Sequence, residues 1–330
     1  MNPQQWTYIT FGAVLLLAII FDLGLLSKKG AAISIKQALK QTFFWVVLAL
    51  AFFVFIWFEY GHEPAFQYLS AYLMEWSLSI DNIFVFILIF NFFGVKEKFV
   101  GRVLLIGILM AIVFRIIFIT VGVELVKHFE WLLYIFGAFL VYTGYHLFFV
   151  EQEEEFNPRD NKVYKFLQRI FPVTHDDGDG KYTIIKNGKK YYTTIFVVVI
   201  ILATTDIVFA VDSIPAVFGI SKDRLVIYTS NIFAVLGLRS LYFMLRGAVN
   251  KFDFLQQGIA IVLVFIGLKM IAEGIPFFME LFGAGKEKAE KYQLHIPTWL
   301  SLVVIVICIG GSILYSLYHK KKHLPTDIKE

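Results

Sequence analysis

Two acidic segments carry the chemistry of this sequence. EWSLSIDN sets Glu75 six residues ahead of Asp81, with Asn82 next, and DIVFAVDS sets Asp206 six residues ahead of Asp212, with Ser213 next. Carboxylates, an amide and hydroxyls are hard oxygen donors, a set that suits Mn²⁺, Mg²⁺ or Ca²⁺, whereas Zn²⁺ and copper favour sulfur and imidazole. Softer ligands are scarce: Cys308 is the single cysteine, and of seven histidines only His146 falls clearly inside an apolar run. Four carboxylates would repel an oxyanion such as tellurite or phosphate. The expected chemistry is passage of a divalent cation. Gly-rich phosphate loops, nucleophile–base sets and Cys/His clusters are absent, so the reading is not an enzyme and not one with a permanently bound cofactor.

Helical geometry constrains how these acids work. At about 100° per residue, Glu75, Ser79 and Asn82 share one edge of a helix, as do Asp206 and Ser213 on another. Asp81 and Asp212 sit about 100° round from Asn82 and Ser213, and ~9 Å along the axis from their upstream acids. One straight helix cannot aim both of its acids at a single ion. Either the helices unwind there, or the acids line successive stations on a path. Pro215 favours unwinding in the second segment, because it cannot donate to the carbonyl of Val211 and so frees an oxygen beside Asp212. The first segment has no such proline.

The acids belong to a longer internal repeat. Arg115 lies 21 residues after Gly94, and Arg239 lies 20 after Gly219. His146 follows Arg115 by 31 residues and Lys269 follows Arg239 by 30, each two places after a glycine (Gly144, Gly267). Arg115 and Arg239 are expected to offset the acids' charge. An alternative reading makes these pairs purely structural, and the two can coexist. Acids left over from pairing would hold protons at rest, which makes protons a candidate coupling ion. Asp22, His146 and Lys269 are accessory candidates, with helix packing as their plainer role.

Ionisable groups this deep in apolar sequence imply a membrane setting. The chain is 58% hydrophobic and 17% charged, well outside the soluble range. Nine stretches qualify as spans: 8–27, 42–60, 68–93, 103–126, 131–150, 194–219, 225–245, 255–275 and 297–318. With the N-terminus outside, segments facing the cytoplasm hold twenty-one basic residues against six outside, which places the C-terminus inside. The net charge of +4 forms no stripe along which nucleic acid could lie. The fold expected is an all-α polytopic membrane protein with the lipid bilayer as its surroundings. Two helices occupy 1–67, a first three-helix repeat 68–150, and a second repeat of inverted topology 194–275. A final helix and basic tail lie in 276–330. Between the repeats, 151–193 is an inner loop or small appendage, in which alternating runs flank Asn187–Gly188 as a hairpin signal.

These residues resemble the TerC family, named for tellurium resistance, and particularly its Alx-like members. The resemblance rests on MEWSLSIDNIFVF, VFRIIFITVG, WLLYIFGAFLVYTG, DIVFAVDSIPAVFGI and NIFAVLGLRSLYF. It implies a multi-pass protein of the bacterial inner membrane, similar to the wider LysE-type transporters, with Mn²⁺ export as its activity. The family's acidic positions carry over to Glu75, Asp81, Asp206 and Asp212, with Asn82 and Ser213 beside the aspartates. The chain departs from many Alx-like members at Ala203, where they hold a glutamate. The function expected is export of a hard divalent cation, Mn²⁺ ahead of Ca²⁺ or Mg²⁺. A membrane scaffold or metallation partner using 151–193 is the alternative.

Overall fold

Lipid offers no partner to a backbone N–H or C=O, so long apolar stretches satisfy those groups internally, as helices. The computed structural model describes residues 3–21, 33–129, 131–149, 162–174, 176–186, 188–246, 254–281, 292, 294 and 296–323. Among them run α1 (Pro3–Phe21), α2 (Ile35–Tyr60), α3 (His62–Phe92), α4 (Glu97–His128), α5 (Leu132–Phe149) and the short α6 (Lys162–Ile170). A hairpin of β1 (Thr183–Lys186) and β2 (Lys189–Tyr192) follows, then α7 (Thr194–Phe218), α8 (Arg224–Leu236) and α9 (Leu238–Leu245). The chain ends on α10 (Leu255–Glu273), α11 (Ile275–Leu281) and α12 (Thr298–His323).

Eight of these stretches are long and apolar enough to cross a bilayer, α8 and α9 together forming one of them, while α1 contributes a shorter apolar run over Ile9–Ile20. Helices α2, α3 and α4 begin six or seven residues before their expected spans, because polar first turns extend them. Local chemistry sets several of the ends. Ser34, Thr193 and Asp223 accept from backbone N–H groups of the first turns of α2, α7 and α8. Gly61 separates α2 from α3 with φ +91°, a conformation that side-chain-bearing residues rarely adopt.

The two repeats pack as exchangeable partners. Helix α3 packs on α8 as α4 packs on α7, and α5 lies along α10. A Cβ on Gly137 would stand 2.9 Å from the carbonyl of Gly267, and one on Gly144 2.7 Å from that of Ala260. Numbers rise on α5 as they fall on α10, so the two helices are antiparallel. A single spacing matches Gly144 with Gly267 and Gly137 with Ala260. The two contacts therefore interchange when the repeats are swapped, as inversion about a two-fold requires. Close approach through small residues is the usual glue between helices in lipid, where apolar burial gives no drive.

Helices α1 and α2 cover one flank through an aromatic cluster of Phe11, Phe52, Tyr68 and Phe233. Helix α12 closes another against α3 and α10. The inter-repeat segment folds as the Asn187–Gly188 signal implies: Lys186 pairs with Lys189 and Thr183 with Tyr192, with Gly188 at φ +73°. Residues 150–161, including the acidic run at its start, lie outside the described residues, as does Asn187 itself.

Candidate functional site

Four helices converge on Arg115. It sits about midway along α4, some 27 Å from Glu97 and 20 Å from His128 at ~1.5 Å per residue. Its side chain is 2% exposed. The guanidinium donates twice to Asp206 of α7, from Nε at 2.9 Å and Nη2 at 3.0 Å. Its Nη1 donates to Glu75 of α3 and, at 2.9 Å, to Oδ1 of Asn231 on α8. The planar fork of arginine suits this task, since one rigid group satisfies three partners held at fixed angles. Glu75 belongs to the first repeat and Asp206 is its counterpart in the second, so Arg115 ties the repeats together at their centre.

The triad does not balance. Two acids share one guanidinium in a dry setting. Several polar atoms around it also lack partners: Oε2 of Glu75, the hydroxyls of Ser79 and Ser213, and Nδ2 of Asn231 are all buried and unbonded. Buried polar groups are normally satisfied, so this is a site with unused donors and acceptors. Beside Asp206 a cavity of about 10 Å³ is lined by Phe86, Leu104, Gly107, Ile108 and Ala111, room for about one water.

The expected site residues divide into groups. Glu75 and Asp206 come together, on one arginine. Asn82 and Ser213 are buried along with Ser79. The side chains of Asp81 and Asp212 lie outside the described residues, although their helices are described. Both helices run unbroken through these positions, α3 from His62 to Phe92 and α7 from Thr194 to Phe218. The unwinding expected at Pro215 is therefore not found. Pro215 still leaves the Val211 carbonyl without its usual donor four residues on, but α7 continues as helix through it to Phe218. Val211, expected to lend a freed carbonyl, has its side chain on the exposed side of α7, about 140° round from Asp206.

Arg239 is buried beside a second small cavity lined by Ile19 of α1, Trp45 of α2, and Leu105, Ile108 and Leu109 of α4. Asp22 lies outside the described residues. His146 and Lys269, matched in sequence, part company in space. His146 is exposed with its ring against Tyr142, whereas Lys269 is buried and donates to Ser301 of α12 at 3.3 Å, with Glu273 at 3.9 Å. Asn231 was missed by sequence reasoning. The available signal was its amide inside an apolar span, next to buried Thr229 and Ser230. Among the described residues, no three His, Cys, Asp or Glu side chains gather as a metal cluster.

Comparison with known proteins places this geometry. The profile described as "Integral membrane protein TerC family" matches residues 60–324, which contain every helix of the two repeats. The chain is 38% identical over 325 residues to "Uncharacterized membrane protein STKORF319" of Myxococcus xanthus, covering 98% of this chain and 95% of that protein. It is 39% identical over 313 residues to the "Putative membrane-bound redox modulator Alx" of Salmonella typhi, covering 92% and 91%. The protein of that name in Escherichia coli is 38% identical over 279 residues, covering 82% and 86%. No solved structure matches. With four membrane helices meeting on one arginine and a family profile spanning both repeats, the chain belongs to the integral membrane protein TerC family.

Proposed function

We propose that the chain is a secondary transporter that exports a hard divalent cation, Mn²⁺ ahead of Ca²⁺ or Mg²⁺, across the bacterial inner membrane. The observation that carries this reading is the buried Glu75–Arg115–Asp206 bridge between two inverted repeats, which sets two acids on one guanidinium, with unbonded oxygens, at the centre of the membrane helices. Charge buried at such cost marks a pathway more often than a scaffold, and inverted repeats meeting near the midplane are the architecture of secondary carriers.

In this reading Asp81 and Asp212 are the primary ligands, with Asn82 and Ser213 beside them. Glu75 and Asp206 form the neighbouring station, held closed by Arg115 while no cation is bound. Arg239, with Arg115, offsets charge in the empty state. Protons released as a cation binds would couple the two fluxes. The direction of transport and the cellular membrane follow from the family resemblance.

The relatives' name refers to redox. Thiol–disulfide chemistry needs two sulfurs, and this chain has one cysteine, so the oxygen-rich centre favours cation handling. The scaffold reading draws on the folded segment 162–193. Deleting that segment while Mn²⁺ flux persists and the cellular phenotype is lost would move the scaffold reading ahead.

The test is flux of Mn²⁺, Ca²⁺ and Mg²⁺ in proteoliposomes under a proton gradient of either sign. Asp81→Asn and Asp212→Asn, near-isosteric changes, are compared with the unmodified protein. Flux that both variants lose while staying folded supports the reading. No flux of any of the three ions from the unmodified protein refutes it.

A further inference from the structure

The segment between the repeats is held to the start of α7 by hydrogen bonds and ring contacts and to the start of α4 by ion pairs. On the α7 side it runs directly into the helix. Thr193 caps α7 and donates its hydroxyl proton to the Lys181 carbonyl at 2.6 Å. The N–H groups of Thr193 and Thr194 donate to the carbonyls of Tyr182 and Asp176. Phe171 and Tyr192 pack on Phe196 in the first turn of α7. The hairpin and the Asp176–Gly180 turn therefore move with the second repeat.

Towards the first repeat the contacts are of another kind. Lys96, just before α4, pairs with Asp177 at 2.7 Å, and Lys98 pairs with Asp179 at 2.9 Å. Arg102 donates to the Gly180 carbonyl at 3.4 Å. Phe99 lies so close to Gly180 that a Cβ there would stand 2.6 Å from the ring. The third aspartate, Asp176, is held within the segment by Lys186 at 3.0 Å. On this same face Glu97 pairs with Arg246 at the end of α9.

At the opposite end of α4 other pairs tie the repeats. Glu124 pairs with Arg224, Thr120 shares a 2.6 Å hydrogen bond with Tyr228, and Ser221 donates to Gln67 at 2.6 Å. There α11 sets Phe277 and Phe278 against Tyr134 at the start of α5. Both ends are thus closed around the Arg115 centre.

We propose that residues 172–193 are a gate latch: carried by the second repeat, they grip the start of α4 through Lys96, Lys98 and Arg102 and hold that face of the membrane shut. Exposed ion pairs are individually weak, which is what a contact that must part in every cycle requires. Backbone N–H groups and the facing lysines hold the three aspartates ionised. Asp176 is lowered by the Gly178 N–H and then Lys186, Asp177 by Lys96 and then the Asp179 N–H, and Asp179 by Lys98. The latch rests on the two-repeat carrier reading, but it concerns movement and is measured without any transported ion.

The test uses a cysteine-free background, Cys308→Ser, with Ala111→Cys as reporter in the cavity beside Asp206. Membrane-impermeant maleimide is added to sealed vesicles of each orientation. Lys96→Glu with Lys98→Glu should raise the labelling rate from the face that carries 162–193 by about threefold to tenfold, with no rise from the other face. Adding Asp177→Lys and Asp179→Lys should restore the slow rate, since the pairs are rebuilt with their signs reversed. The milder pair Lys96→Gln and Lys98→Gln should move in the same direction, and it keeps the test open if the reversed pair folds poorly. An unchanged rate in the first variant, or a four-residue swap that labels as fast as the two-residue one, overturns the latch. Labelling that behaves as expected in a protein that moves no Mn²⁺ would leave the latch standing and remove the transport reading alone.

Discussion

Arg115→Gln is the substitution whose consequence the structure fixes most tightly. It removes a guanidinium that is 2% exposed and bonded to Glu75, Asp206 and Asn231, and it leaves two carboxylates facing one another without a cation. Removing one partner of a buried ion pair costs about 3–5 kcal/mol, because the remaining charge stays desolvated. For proteins of 150–250 residues, 1 kcal/mol corresponds to roughly 2–4 °C in midpoint, so a fall of about 5–10 °C is expected in this longer chain. The assay is the apparent melting temperature of detergent-solubilised protein, followed by the monomer peak in size-exclusion chromatography at one fixed heating rate, since such unfolding is governed by rate. Arg115→Lys keeps the charge but replaces a fork with a compact ammonium, so it should fall between. Arg115→Gln with Asp206→Asn removes the doubly bonded acid together with its partner and should recover more than half of the loss. An Arg115→Gln protein that melts within 1–2 °C of the unmodified one, on the scale of the same conversion, would refute the claim that this bridge holds the repeats together.

Gly144→Val should abolish the monodisperse folded protein, because its Cβ would meet the Ala260 carbonyl at 2.7 Å and neither antiparallel helix has room to yield; overpacking of this kind costs about 1–3 kcal/mol or more. Lys269→Met should leave Mn²⁺ binding unchanged and alter the melting temperature little, since Lys269 bonds to α12 through Ser301 and an apolar replacement of a buried charge is often neutral; a lost binding isotherm would restore it to the ion path. The latch should be insensitive to pH across the physiological range. Its aspartates sit below 3.8 in the folded protein, so their contribution is present above that value and lost only as pH falls through the lower folded values. Lys96 is raised above 10.5, chiefly by its hydrogen bond to Asp177, so its contribution holds below 10.5 and is lost as pH rises through the higher folded value. A spin-label distance between positions 92 and 189, in the Cys308→Ser background, should therefore stay constant between about pH 5 and 9; broadening near pH 7 contradicts that assignment.

Periodicity and spacing made much of this legible. Apolar length alone located the membrane helices, and the Glu75/Asp206 and Arg115/Arg239 matches revealed the repeats before any contact was known. The polar edges of α3 and α7 followed from 100° per residue, and Gly188 announced its turn. What the sequence could not supply was which repeat each charge would serve. Arg115 and Arg239 are equivalent by spacing, and only the structure shows that Arg115 of the first repeat bonds an acid of each repeat, Glu75 and Asp206. Asn231 escaped notice because a lone amide in an apolar helix has meaning only once its neighbour is known. Pro215 misled because the loss of one hydrogen bond, to the Val211 carbonyl, does not by itself unwind a helix, and α7 runs on to Phe218. The pairing of Lys96 and Lys98 with Asp177 and Asp179 joins positions about eighty apart, which charge counting cannot foresee.

The central claim is that the paired acids of the two repeats hold a hard divalent cation. Its most direct test is Mn²⁺ binding to the purified protein, read from the loss of the free-ion paramagnetic resonance signal. The unmodified chain is compared with an Asp81→Asn, Asp212→Asn double variant of matched melting temperature. The account predicts saturable binding that Ca²⁺ or Mg²⁺ in excess competes away and that the double variant lacks. Equal binding by the two proteins, or none by the unmodified one, would contradict it.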